Sequence, residues 1–64
     1  MPKVEQNTRE VIARLEREGW RSIGGARHEK FSHSAFPGMR IMVPRHRSLS
    51  VGVALDIAKK AGWL

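Results

Sequence analysis

The chain has 64 residues, 41% of them hydrophobic, with 12 Lys and Arg against 6 Asp and Glu, for a formal net charge of +6. A chain this short makes one domain, residues 1–64; it buries only about 60% of its unfolded surface, which leaves a thin core and no deep pocket for a small metabolite. The absence of cysteine excludes disulfides, thiolate catalysis and cysteine-based zinc sites and fits a reducing cytoplasm, and no apolar run approaches the ~20 residues of a membrane span.

Met1-Pro2-Lys3-Val4 leads into polar residues without an apolar h-region, so no signal peptide is expected. Asn7 to Glu18 reads as a helix. Asn7 with Glu10 three residues on makes a capping-box-like start. Val11, Ile12 and Leu15 form an apolar stripe at helical spacing, and Arg14, Glu16, Arg17 and Glu18 cover the other side. Gly19 is the stop, and Trp20 to Ile23 follows as a short strand. Gly24-Gly25 marks a turn, read as a strand connection rather than a phosphate cradle. His28 to His33 is the second strand. Alternation sends Phe31 to the core with Glu29 and His33 on its side, and sends His28, Lys30 and Ser32 to solvent. Ser34 to Gly38 is the next turn, signalled by Pro37-Gly38, and His33 reads as a turn residue. Met39 to Val43 is the third strand, with Ile41 and Val43 inward and Arg40 and Met42 outward; Pro44 ends it. Arg45 to Leu49 is a basic connector. Ser50 caps a last helix that runs to about Ala61, with Val53, Ile57, Ala58 and Ala61 as its buried stripe and Gly62 as its stop.

Three consecutive strands joined by short turns pair as an antiparallel meander, and both helices then cover one face. The expected class is α+β in the order α-β-β-β-α, with the other sheet face open and carrying His28, Lys30 and Arg40. Charge is zoned on this frame. Residues 1–20 hold four basic and four acidic side chains, and residues 48–64 add a net +1. The stretch between holds Arg21, Arg27, Lys30, Arg40, Arg45 and Arg47 against Glu29 alone, and it also holds all three histidines, His28, His33 and His46. A basic centre in a neutral frame is the footprint of a polyanion partner. Imidazoles among those cations put proton-transfer groups beside the phosphates. The pattern points to a small protein that binds nucleic acid and cuts it. A membrane surface fits less well, because the first helix is charge-neutral.

Order and motifs together resemble the HicA toxins of bacterial HicA–HicB toxin–antitoxin pairs, which use the double-stranded-RNA-binding-domain fold. The resemblance covers nearly the whole chain. It starts with the extended Met1-Pro2-Lys3-Val4 opening. Glu10-Val11-Ile12, Leu15 and Gly19-Trp20 are similar to the family's first helix and its glycine-aromatic exit. His28-Glu29-Lys30-Phe31 is similar to the catalytic histidine and the strand aromatic that follows it. Val43-Pro44-Arg45-His46 is similar to the Val-Pro-x-His that closes the third strand, and Ile57 through Ala61-Gly62-Trp63 to the final helix and its terminal Ala-Gly. Many members carry Gly-Ser directly before the catalytic histidine; here Ala26 and Arg27 stand there, with Gly24-Gly25 upstream. The last helix carries Val53-Ala54-Leu55 where polar or basic residues are common in members. The resemblance implies a cytoplasmic endoribonuclease that cleaves mRNA independently of the ribosome. It also implies a HicB-type antitoxin that binds the toxin and covers the catalytic histidine.

RNA brings its own nucleophile, the 2′-hydroxyl. Cleavage then needs a base, an acid for the leaving 5′-oxygen, and positive charge for the transition state. With the resemblance, His28 is expected as the general base, and Lys30 and Arg40 as cations on its face. His46 is a possible acid or supporting group, beside the plainer reading of a loop histidine bonded to backbone. Arg27, Lys30, Arg40, Arg45 and Arg47 are expected to bind RNA collectively through phosphates rather than by reading bases. The scheme needs no metal or other cofactor, and no carboxylate cluster is there to hold magnesium. Trp20 and Trp63 fit core or helix-end packing better than base stacking. The amides of residues 51–53 open a helix beside basic residues and can receive one phosphate. The alternative is a non-catalytic RNA-binding module of the same fold. A reader of double-stranded RNA spans about 16 base pairs and wants a more basic last helix than one with only Lys59 and Lys60. A DNA-binding role ranks last, since no helix has a basic recognition face.

Overall fold

The computed structural model describes residues 4–64, so the first three residues of the expected extended opening, Met1 to Lys3, lie outside the described residues. The elements are α1 (Thr8–Arg17), β1 (Arg21–Gly24), β2 (His28–Ser32), β3 (Arg40–Pro44) and α2 (Val51–Ala61). The expected order holds. β1 and β3 each run one residue later than expected, and β2 ends one residue sooner.

Trp20 does not open the strand because its N–H belongs to the helix end. It donates to the Leu15 carbonyl at 3.0 Å while the Gly19 N–H donates to Glu16 at 3.2 Å, the paired bonds of a Schellman cap. Gly19 takes the φ of +98° that this cap requires, and the Trp20 side chain turns into the core. α2 ends in the same way, with Gly62 donating to Lys59 at 3.2 Å and Trp63 to Ala58 at 2.8 Å. At the start of α1, the Asn7 side chain accepts from the Glu10 N–H at 3.1 Å. The return bond of the box comes from another residue: the Asn7 N–H donates to Glu5 Oε2 at 3.1 Å, not to Glu10. Ser50 caps α2 by accepting from the Val53 N–H at 3.3 Å.

The sheet has the order β1-β2-β3, with both pairings antiparallel. Phe31 lies opposite Ile41 and Glu29 opposite Val43; His28 faces Pro44, Lys30 faces Met42 and Ser32 faces Arg40. Cross-strand partners share a face. Phe31, Ile41 and Val43 therefore go beneath the helices, while His28, Lys30, Ser32, Arg40 and Met42 form the open face, as the alternation predicts. β1 joins through Arg21 opposite Ser32 and Ser22 opposite Phe31; Ile23 is then an extra residue before Gly24 meets Lys30, a β-bulge.

The core collects Val11 and Leu15 of α1, Trp20, the three inward strand residues, Leu49, and Ala54, Ile57 and Ala58 of α2. Burying a side chain such as Phe31 or Leu15 contributes roughly 1.5–3 kcal/mol. Ile12, Val53 and Ala61, expected in the buried stripes, pack at the rim of this core. Leu49 is delivered by the connector, whose path is pinned by Leu49 N–H to the Gln6 carbonyl at 2.7 Å and Thr8 N–H to the Arg47 carbonyl at 3.2 Å. This pinning places the 45–49 segment against the start of α1.

Candidate nucleic-acid interface on the open sheet face

His28 opens β2 on the uncovered face and is half-buried at the sheet surface. Lys30 stands two residues on, exposed on the same face, about 6.6 Å further along the strand at ~3.3 Å per residue. Arg40 shares the face, but its register partner is Ser32, four residues from His28 and so about 13 Å along the strand. The expected face is therefore correct for all three, while only Lys30 adjoins His28. Arg21 stands on the other side of Ser32. Its charge is evident in the sequence, but its place on the sheet is not. Exposed Ile23 and Met42 (54% and 47%) flank the Lys30 row.

The turn that leads into His28 is held by a charged hub. Glu29 accepts from the Ser22 hydroxyl and pairs through Oε1 with Arg45 Nη1 at 3.3 Å. Arg45 Nη2 also donates to the Gly25 carbonyl at 2.7 Å. The lone acid of the basic stretch thus ties β1, β2 and the connector together. Arg45, expected among the RNA-binding residues, has its guanidinium engaged in that tie. Gly25 packs so close that a Cβ there would collide with the backbone carbonyl of His28. The turn and the histidine are positioned as one unit.

Of the remaining expected residues, Arg27 belongs to this unit and His46 and Arg47 lie apart from it. Arg27 is exposed in the β1–β2 turn. His46 and Arg47 line a groove of about 800 Å³ against Thr8, Arg9, Ile12 and Glu16 of α1, and His28 does not line it. His33 is more than a turn residue. Its Nδ1 accepts from the Ala35 N–H at 3.0 Å and its Nε2 lies 2.8 Å from the Glu18 carbonyl, which fixes the Nε2–H tautomer. The ring meets Trp20 edge-on at 5.1 Å. It therefore latches the β2–β3 turn to the end of α1. None of the described side-chain hydrogen bonds engages His28 in this way. Trp20 is core, as expected. Trp63 closes the helix ends by donating from Nε1 to Glu18 Oε1 at 2.6 Å, with the Arg14 guanidinium 4.2 Å above its ring.

Among the described residues, no group of three or more His, Asp or Glu could hold a metal ion. No helix among them is long and apolar enough to cross a membrane. A family model described as the HicA toxin of bacterial toxin–antitoxin systems matches residues 8–63, which include every helix and strand. No individual curated protein matches the chain significantly.

Proposed function

Since this chain belongs to the HicA toxin family of bacterial toxin–antitoxin systems, we propose that it is an endoribonuclease that cleaves mRNA in the cytoplasm without the ribosome. The observation that carries this reading is the position of His28, half-exposed on the uncovered sheet face beside exposed Lys30. His28 takes the proton of a 2′-hydroxyl. The freed oxygen attacks the adjacent phosphorus, and the 5′-oxygen leaves with a proton, giving a 2′,3′-cyclic phosphate. Lys30 lies beside the reacting phosphate and offsets the charge of the phosphorane-like transition state. The exposed cations Arg27, Arg40 and Arg47 hold flanking phosphates, and Arg45, paired with Glu29, supports RNA binding by holding the turn that carries Arg27 and His28.

We assign the leaving-group proton or a supporting contact to His46. It lies two residues beyond Pro44, the register partner of His28, so the two histidine Cα atoms are at most about 13 Å apart. The separate groove that His46 lines favours a second reading, a non-catalytic RNA-binding module of this fold.

Cleavage of a single-stranded RNA by wild type and His28→Ala, with and without chelator, decides between the two. A nuclease of this kind cuts RNA in the presence of EDTA, and His28→Ala loses at least about a hundredfold in rate. A wild type that binds RNA and leaves it intact supports the module. Strict dependence on a divalent ion overturns the metal-free scheme.

The inhibitor in this proposal is a HicB-type antitoxin that neutralises the open face, either with acidic side chains or by inserting side chains over it. Its complex with the toxin should leave RNA uncut. RNA cutting that survives complex formation would show that the antitoxin binds elsewhere.

A further inference from the structure

We propose that Arg21, Ser32 and Arg40 form a phosphate subsite for single-stranded RNA at the far end of the sheet from His28, and that this subsite fixes how the substrate strand lies across the open face. The ligand assignment rests on the ribonuclease reading above.

Register puts the three residues in one row across all three strands, with Arg21 and Arg40 each opposite Ser32. Neighbouring strands lie about 4.8 Å apart, so the two arginine backbones are about 9.6 Å apart on either side of Ser32, and both side chains belong to the open face. Two long cationic side chains at this spacing can close on one anion from both sides. No ion pair among the described residues supplies one, since the three pairs present use Arg14, Arg45 and Lys60.

The row opens into a depression of about 370 Å³ walled by His33 and the β2–β3 turn, and no acidic side chain lines it. That volume falls within the ~300–1,000 Å³ typical of small-ligand sites, enough for a phosphate with its ribose. The wall is preset, because both nitrogens of His33 are engaged. Arg40 is also held, with Nη1 donating to the Met39 carbonyl at 3.0 Å. A planar guanidinium offers paired donors that suit phosphate oxygens.

Lys30 lies between this row and His28 on the same face. The Arg21–Arg40 row, Lys30 about 6.6 Å on and His28 about 13 Å on thus lie along one track at ~3.3 Å per residue, which matches a repeating anion rather than an isolated one. A strand that seats one phosphate between Arg21 and Arg40 can place another beside His28. The subsite positions RNA and takes no part in the proton transfers.

The test measures fluorescence anisotropy of unstructured RNA in a His28→Ala background, using a dinucleotide and a hexanucleotide. Lengthening the RNA should raise affinity, and Arg21→Gln with Arg40→Gln should remove about tenfold of that gain through lost charge-assisted hydrogen bonds. The slope of log affinity against log salt should also fall by about 0.7 for one phosphate contact in a single strand. Lys59→Gln with Lys60→Gln removes the same charge elsewhere and should leave most of the gain intact. Equal losses in the two double variants, or no loss in either, overturn the subsite.

Cleavage assays separate its failure from that of the nuclease reading. In an otherwise wild-type chain, the arginine pair variant should raise KM on long RNA with little change in kcat. Cleavage with an unchanged KM sinks the subsite alone. Arginine-dependent binding without any cleavage by wild type sinks the nuclease alone.

Discussion

Two adjacent glycines that look interchangeable in the sequence have different surroundings. Both Gly24 and Gly25 take positive φ, +85° and +139°, so an alanine at either is strained by about 1–3 kcal/mol. Only at Gly25 does an added Cβ strike the His28 backbone carbonyl; at Gly24 it meets open space. Gly25→Ala must therefore move the start of β2, while Gly24→Ala need not. Misplacing a reacting group by about 1 Å can cost a hundredfold in rate. Gly25→Ala should lose at least about tenfold more RNA cleavage than Gly24→Ala, with thermal melts correcting both rates for the folded fraction. Equal activity losses would show that the turn does not position His28. The Glu29–Arg45 tie acts on the same turn from the other side. It could not be seen from composition, where Glu29 is only the exception in a basic run. The partners are 16 residues apart, and nothing local links them.

At the scale of elements, local chemistry was legible and long-range pairing was not. Asn7 and Ser50 announced both helix starts, and glycine followed by tryptophan ends both helices through the same Schellman bonds. Alternation in β2 and β3 put His28, Lys30 and Arg40 on one face, because a strand with one buried side permits a single assignment. It gave no distance between them; that depends on register, which sets Arg40 opposite Ser32. β1 is only four residues long and bulges at Ile23, so no pattern could place Arg21 beside Ser32. The His33 latch was equally hidden, since its partners come from the end of α1. Gly19 joins these two kinds of information. Its φ of +98° belongs to the cap, and a Cβ there would sit 2.7 Å from His33 Nε2. Gly19→Ala should destabilise the protein by about 2 kcal/mol, a fall in Tm of roughly 8–16 °C for a domain this small. In a His33→Ala background the clash disappears and only the φ strain remains, so the added cost should drop to about half. An unchanged cost would mean that the latch does not crowd Gly19.

For the molecule as a whole, the helix ends are joined away from the cationic face. Glu18, the C-cap of α1, accepts from Trp63 Nε1 beyond the end of α2 and from Arg14 Nε at 3.1 Å. The zoning of charge reflects this division: apart from Glu29 in its tie, the acids sit on the helices or at their ends, and no acidic side chain is paired with Lys30 or Arg40 among the described residues. The hydrogen bond from Trp63 is the main influence that holds the Glu18 carboxyl below its ordinary value of 4.5; desolvation comes next and opposes it, and Arg14 and then Arg17 add smaller lowering effects. A carboxyl whose folded value lies below its unfolded one stabilises the fold fully above the unfolded value, and the gain is lost as pH falls through the folded value. The tie should therefore contribute fully at pH 7 and fade below about pH 4.5. The pair is partly exposed, at 48% and 38% for the Arg14 and Glu18 side chains, so solvent screening limits its worth to at most about 1 kcal/mol. Glu18→Gln should lower Tm at pH 7 by up to about 8 °C for a chain of this size, and the gap to wild type should close on acidification. In Trp63→Phe, which keeps the ring but loses the N–H donor, NMR titration should find the Glu18 carboxyl closer to its ordinary value. A Tm gap that is constant from pH 7 to pH 3 would show that the ionised carboxylate does not hold the two helix ends together.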